Sequence, residues 1–446
     1  MSDLFIIGAS GTKAYRTAMA AISENIANAS TEGYSRRSVT TIESGSSTAT
    51  MAVYISRANF GGTEVKSVNR ATDPYLDATV RYTNMQLGSA VARMRWLTDS
   101  ETALNDTETG IGQLMTGMFQ NMDKLAASPT DNSLRVTTLD SIGRVAQAFN
   151  QTSADLVQVS SGIATEAQAS VTTINQALSA LADINNSLLR AQPGTSAYAQ
   201  LLDSRDAALG TLSTNLNIDI GFGTHDQAQV TLNGQTLVQG SSATPLALTV
   251  NTNGTLALAT GGSTALAAPT SGTLGGLFSA AGTVSQRRTS LDTLAQQFVA
   301  NMNNWHAQGL TNGSPGAAGA PLLSGTTAAT VAALITDPAQ LATKAADGTP
   351  NGNLLTVSTV LRGNGSVEQG WTNLIATHAN LLSSTKAEQT TAQNRSDQAV
   401  AAREAVSGVD LDMEAAELLR IQQAYSGSAK ILQVAKETVD AILQII

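Results

Sequence analysis

Along most of this chain apolar residues recur at steps of three and four, the pattern of helices that each bury one stripe. Near the start, Tyr15, Met19, Ile22 and Ile26 fall at steps of four, three and four, which predicts a helix with a narrow seam suited to packing on another helix. Asn28 to Gly33 end that helix, since Gly33 can take the left-handed conformation that stops it and Tyr34 can pack back as the chain turns away. Residues 38 to 72 are rich in Ser, Thr and Gly with short β-prone runs such as MAVYIS, and read as loop and short strands. Asp73-Pro74 opens a long helix, a capping side chain followed by proline at the first helical position. Leu76, Val80, Thr83, Leu87, Ala90, Met94, Leu97 and Leu104 carry it on, with Gly88 as a local weak point.

A shorter apolar helix over Ile111 to Ala127 stops at Ser128-Pro129. A second long one runs through Ile142, Phe149, Leu156, Ile163, Val171, Ile174, Leu178, Leu181 and Leu188 until Pro193-Gly194. From Asn217 to Pro269 the period changes to two. In QAQVTLNGQTLVQG, Val230 and Leu232 face one way and Asn233-Gly234 supplies a hairpin turn. Helix returns from Leu277 to His306, and residues 309 to 365, rich in Gly, Pro, Thr and Ala, predict an irregular insertion with a short apolar piece at Val331 to Ile335. Trp371 to Val406 is helical again and Ser407-Gly408 interrupts it. The last helix has Asp410 as its cap, Asp412, Glu414 and Glu417 at its positive end, and a stripe of Leu418, Ile421, Tyr425, Ser428, Leu432, Ala435, Val439, Ile442 and Ile446. The expected fold is mainly α with a small inserted β-domain. Both chain ends carry seams with little to bury alone, so they pair with each other or meet neighbouring subunits.

Composition narrows the function. Charged residues make up 13% and the formal net charge is -9, without the Lys and Arg clusters that nucleic-acid binding needs. There is no cysteine, which excludes disulfides, thiol nucleophiles and thiolate metal sites. Asp3 precedes the first short apolar run and Lys13 follows it, the reverse of a secretory signal, and no stretch is apolar enough for membrane insertion.

Candidate chemistry is sparse. His225, His306 and His378 are far apart and none has a second ligand at metal spacing, so they read as structural or solvent residues. GASGTKA at residues 8 to 14 lacks the GxxxxGK[ST] spacing of a phosphate loop and follows no strand. Arg36-Arg37 lacks the apolar core of a twin-arginine signal. Met115, Met118 and Met122 share one helical face, as core residues do. No GxSxG elbow or paired acid and base stands out, and neither an enzymatic role nor a cofactor is expected.

The two ends carry a resemblance. NIANASTEGYSR is similar to the N-terminal signature of the bacterial flagellar rod, hook and hook-associated axial proteins, with Asn25, Ile26, Ala27, Asn28, Thr31, Gly33, Tyr34, Ser35 and Arg36 matching. SGVDLDMEAAELLRIQQAYSGSAKILQVAKETVDAIL resembles the terminal helix of the same family. Tyr34-Ser35-Arg36, in place of the Phe-Lys common in hook protein, and the order LLDSRDAALGTLSTNLNIDI, SGTLGGLF and FVANMNNWHAQGL resemble the members at the hook-filament junction; hook or distal rod protein is the alternative, and a secreted adhesin or enzyme a remote one.

The resemblance implies a non-enzymatic extracellular subunit, exported through the flagellar type III apparatus, with hook protein, the second junction protein, its own copies in a ring and an export chaperone at the C-terminal helix as partners. It implies that residues 1–35 and 409–446 pair as a coiled coil forming an inner tube. Residues 36–216 with 271–408 would form a helical domain, with 309–365 as an irregular insertion, and 217–270 the β-domain. Tyr15, Met19, Ile22, Ile26, Leu418, Ile421, Tyr425, Leu432, Val439 and Ile442 would be the assembly seam, and Asn25, Asn28, Gly33, Tyr34 and Arg36 the turn that sets its angle.

Overall fold

The computed structural model describes residues 2–31, 33–44, 61–104 and 107–444, so the run MAVYIS and Ile446 lie outside the described residues. In chain order the elements are α1 (Ser2–Ala27), β1 (Arg37–Glu43), β2 (Thr63–Arg70), α2 (Pro74–Leu104), α3 (Ile111–Ala127), α4 (Asn132–Arg190) and α5 (Ser196–Asn215). The β-rich stretch follows with β3 (Asp219–Phe222), β4 (Ala228–Leu232), β5 (Gln235–Gln239), β6 (Ser242–Ala243), β7 (Leu246–Val250), β8 (Leu256–Thr260) and β9 (Ala265–Leu266). The rest comprises α6 (Gly272–Gln308), β10 (Leu323–Ser324), β11 (Ala332–Ala333), two single turns α7 (Gly352–Leu355) and α8 (Val357–Val360), α9 (Val367–Ser407) and α10 (Leu411–Leu443).

The helix ends follow the local chemistry. Asp73 Oδ1 accepts from Tyr75 N at 2.8 Å ahead of α2, and Asp410 accepts from the backbones of Asp412 and Met413 ahead of α10. α4 has 59 residues, and at 1.5 Å per residue it is about 90 Å long. Such a rod is stable only because Ile142, Phe149, Leu156, Ile163, Leu181 and Leu188 bury one stripe along its length.

The chain divides into two compact units, one holding residues up to Met85, Thr173–Pro245 and the chain from Gln393 onward, the other Gln86–Thr172 and Leu246–Ala392. In the first unit β3 to β6 form a four-stranded antiparallel sheet, and Asn233-Gly234 makes the β4-β5 turn with both residues at positive φ, as a tight hairpin requires. Asn185, fully buried on α4, pins this sheet: its Nδ2 donates to Ala228 O (2.8 Å) and Gly240 O (2.9 Å) and its Oδ1 accepts from Ala228 N. In the second unit β7, β8 and β9 form a separate antiparallel sheet. The β-rich stretch is thus two sheets.

The main core of the second unit joins α3, α4, α6 and α9 with the irregular stretch after α6, and includes Met115, Met118, Met122, Phe149, Phe298, Trp305 and Trp371. The three methionines are core residues, and the Phe149 and Phe298 rings lie 5.6 Å apart. The irregular stretch contributes Leu322, Leu323, Val331, Leu341, Leu354 and Val357 to that core, which buries backbone that no helix or long strand satisfies. Side chains supply the missing partners. Arg135 donates to Pro338 O, Leu341 O and Thr343 Oγ1, Asn150 donates to Ala328 O, and Asn303 both donates to Leu323 O and accepts from Leu323 N.

His306, fully buried, does the same work with both ring nitrogens. Nδ1 lies 2.6 Å from Ala320 O and donates to it, while Nε2 accepts from Ala342 N at 2.8 Å, which fixes the neutral ring. His378 donates from Nε2 to Leu97 O, and His225 sits exposed in a turn at φ 56°. Burial holds the His306 pKa below the ordinary 6.5. The unfolded chain therefore takes up the proton first, so the stabilisation is complete above about pH 6.5 and falls away as pH drops below it. The urea midpoint of this unit should decrease between about pH 7.5 and pH 5. His306→Gln, which keeps an acceptor for Ala342 N, should flatten that decrease, and an unchanged pH slope would refute the assignment.

Candidate functional site

The chain ends meet in the first unit. Side chains of α1 and α10 approach in reverse order, Gly8 beside Leu432, Gly11 beside Ser428 and Asn25 bonded to Glu414, so the pair is antiparallel. On α10 the buried positions are Glu414, Ile421, Ser428 and Ala435, seven apart, with half-buried Leu418, Tyr425 and Leu432 between them and half-buried Val439 beyond. On α1 the facing positions are Gly8, Gly11, Ala14, Ile22 and Asn25, with Tyr15 and Ala18 half-buried. A Cβ at Gly8 would lie 2.7 Å from Leu432 Cγ, and one at Gly11 would lie 2.6 Å from Ser428 Oγ. The helices approach closely because these positions are small.

Asn25 is completely buried at the lower end of this seam and uses every bond its amide can make. Nδ2 donates to Glu414 Oε2 (3.0 Å) and to Arg37 O (2.9 Å), while Oδ1 accepts from Arg37 N (2.8 Å) and from the Tyr34 hydroxyl (2.9 Å). One side chain thereby joins α1, α10, the turn and β1. Burial, with the Glu24, Asp203 and Glu414 carboxylates added against Arg37, pushes the Tyr34 pKa up to about 12, so its hydroxyl remains a donor. The turn itself is held by Asn28, whose Nδ2 donates to Glu24 O and whose Oδ1 accepts from Thr31 Oγ1, and by Gly33 at φ 79°. Arg36 then donates its backbone N–H to Ser407 O, and its guanidinium lies 3.6 Å from buried Glu414.

Beyond the turn, β1 pairs with β2 so that Arg37 faces Arg70 directly, an arrangement that repels unless carboxylates intervene. They do. Arg37 donates to Asp203 Oδ2 at 3.0 Å and pairs with Glu24, while Arg70 lies 2.7 Å from Asp203 Oδ1 and donates to Asp206 Oδ2 at 2.8 Å. Arg205 clamps Asp206 with two donors and reaches Asp226 O, and Tyr198 donates to Asp226 Oδ2. Arg403 makes a pair of its own outside this cluster, its Nε donating to Asp77 Oδ1 at 2.7 Å near the start of α2.

Of the expected seam residues, Ile22 and Ile421 are buried, and Tyr15, Met19, Leu418, Tyr425, Leu432 and Val439 half-buried. Ile26 and Ile442 are each 37% exposed. Sequence reading followed the bulky residues and missed Gly8, Gly11, Glu414, Arg37, Asp203 and Arg205 as partners of this site. The seven-residue spacing of Gly11, Ala18 and Asn25 was the available signal. Among the described residues no group of three or more His, Asp or Glu side chains could hold a metal ion, and no helix is long and apolar enough to cross a membrane.

Both paired segments have counterparts among known proteins. The family model "Flagella basal body rod protein" matches residues 6–34 and "Flagellar basal body rod FlgEFG protein C-terminal" matches residues 404–445, the two segments that pair here. The model "Flagellar hook-associated protein FlgK helical domain" matches residues 97–322, half of the chain. The chain belongs to the flagellar hook-associated protein FlgK family. It is accordingly a structural subunit of the flagellum, from the family of the hook-filament junction. It is similar to flagellar hook-associated protein 1 of Bacillus subtilis strain 168, with 24% identity over 96% of this chain and 95% of that one. The relative of the same name in Salmonella typhimurium is 25% identical over 69% of this chain, and the alignment spans only 57% of that relative's length. The fold is also like that of the hook junction protein FlgK from Burkholderia pseudomallei, with a TM-score of 0.50 and 23% identity over 55% of this chain and 46% of that one.

Two consequences of the FlgK-family terminal pair can be measured. Asn25→Ala strips partners from two backbone groups, a phenol and a buried carboxylate, and should destabilise the pair by about 3 kcal/mol or more, read as lost amide-exchange protection in α1 and α10. Asn25→Asp, nearly isosteric, should be no better, because it sets a second carboxylate against Glu414; wild-type protection in either variant would dismiss the amide as the joint. Separately, Gly8→Ala should cost about 1 to 3 kcal/mol by overpacking against Leu432. Leu432→Ala should relieve that cost, and a double-mutant cycle with simply additive losses would show that the two sites do not touch.

Proposed function

We propose that this chain is the adaptor assembled between hook and filament as a ring of its own copies, and that filament attachment requires it. The observation that carries the reading is the pairing of the chain ends together with what that pairing leaves uncovered. Leu4, Phe5, Ile6, Ile431, Val434 and Ile442 remain exposed on α1 and α10, and Leu4, Gly427, Lys430, Ile431 and Val434 line an open apolar depression of about 320 Å³. Apolar surface of this kind on a paired helix is suited to neighbouring subunits.

In this reading residues 1–35 and 409–446 form the inner tube, 36–216 with 271–408 the helical domain next to it, and 217–270 the β-rich part outside. Ile22, Ile421 and Leu432 act within the chain, and Ile26 and Ile442 act between copies. Asn25, Asn28, Gly33, Tyr34 and Arg36 set the angle at which the pair leaves the turn. Hook protein and the second junction protein are the axial partners, and a type III export chaperone engages α10 before assembly. The role is non-enzymatic and extracellular.

Electron microscopy of cells lacking this gene, with an assay for flagellin in the medium, tests the proposal. Hooks without filaments and shed flagellin are expected. Loss of the hook itself would favour a hook or rod subunit, which the matches at the two ends also fit, and intact filaments would overturn the junction role. Complementation with Ile26→Glu should yield a folded subunit that fails to restore filaments, since Ile26 is exposed in the single chain. Restored filaments would remove Ile26 from the contact between copies.

A further inference from the structure

Away from the terminal pair, α6 and α9 border a groove of about 450 Å³ lined by Arg287, Ser290, Gln297, Gln369, Asn373 and Thr377 among others. Its polar lining contains hydroxyl and amide side chains and one cation, and no carboxylate. The helices touch nearby, where a Cβ at Gly370 would lie 2.5 Å from Leu294 Cδ2, so the groove has a closed floor at one point. Arg287 is 9% exposed, and its Nε has no hydrogen-bond partner. An unpartnered Nε is not peculiar to Arg287, since Arg37 has one too, but Arg37 and Arg205 are paired with carboxylates and Arg135 with carbonyls. No acidic side chain pairs with Arg287 among the described residues.

Arg287 carries its charge with no carboxylate to offset it, which leaves it open to a counter-charge that enters the groove. We propose that this groove binds a small oxyanion, a phosphate or a carboxylate, with Arg287 as its charged partner and the surrounding hydroxyls and amides as neutral donors. His378 reports on the site from one side. Its pKa is held down by burial first and also by the charge of Arg287, against the Leu97 carbonyl and Glu101, so an anion on Arg287 lifts part of that suppression. The inference is independent of the junction role.

The test uses the full chain at constant ionic strength, with sodium phosphate in one arm, sodium glutamate in another and sodium chloride as reference. Phosphate or glutamate should raise the melting temperature of the transition containing α6 and α9 in a saturable way, and the arm that responds identifies the source of the oxyanion. The same anion should move the titration of His378 upward, which is readable by NMR because the chain has only 3 histidines. Arg287→Met, which removes the charge and keeps the stem, should melt no lower than wild type in chloride and lose both responses, while Arg287→Lys should retain a weaker one. Responses that persist in Arg287→Met, or no response to either anion in the wild type, would overturn the proposal.

Discussion

Two strands that face each other through Arg37 and Arg70 can exist in this fold only because Asp203 stands between the guanidiniums. That constraint organises the first unit. Asp203 comes from α5, Glu24 from α1 and Asp206 again from α5, so the charges that make the hairpin possible also tie it to two helices. Removing one partner from such a cluster leaves a buried charge uncompensated, a penalty of about 3 to 5 kcal/mol, whereas the intact cluster adds little net stability. Its value is geometric. Arg37 also presents its backbone to Asn25, so the charge cluster and the buried amide fix the same strand from two sides.

The terminal pair is built on a division of labour between small and large residues. Gly8, Gly11, Ala14 and Ser428 let α1 and α10 approach closely, while many of the large apolar side chains point outward. A stripe of leucines and isoleucines facing inward would have stabilised the lone chain and left less apolar surface for other subunits. In the assembly proposed above, the same arrangement keeps the pair together and reserves its outer face.

The irregular stretch between α6 and α9 follows a different logic. With little secondary structure of its own, it enters a core only where helix side chains take the place of sheet or helix partners. Arg135, Asn150, Asn303 and His306 each do so, and in the opposite direction Asn353 donates from the stretch to Trp305 O on α6, as well as to Ala342 O. The stretch is therefore as much a part of the core as the helices around it.

Much of this was legible in the sequence. Period and capping signals give α2 from Asp73-Pro74, α10 from Asp410 and the hairpin at Asn233-Gly234, because these depend on residues within a few positions of one another. The end motifs gave the family for the same reason, as short contiguous patterns. What only the tertiary structure decided are the long-range partners: Asn25 with Glu414, Arg37 with Asp203, Arg135 with Leu341, and a seam that runs through small residues beside the bulky stripe. Spacing along a helix tells which residues share a face, but a polar side chain is buried only when a distant one completes its bonds, and local pattern carries no record of that meeting.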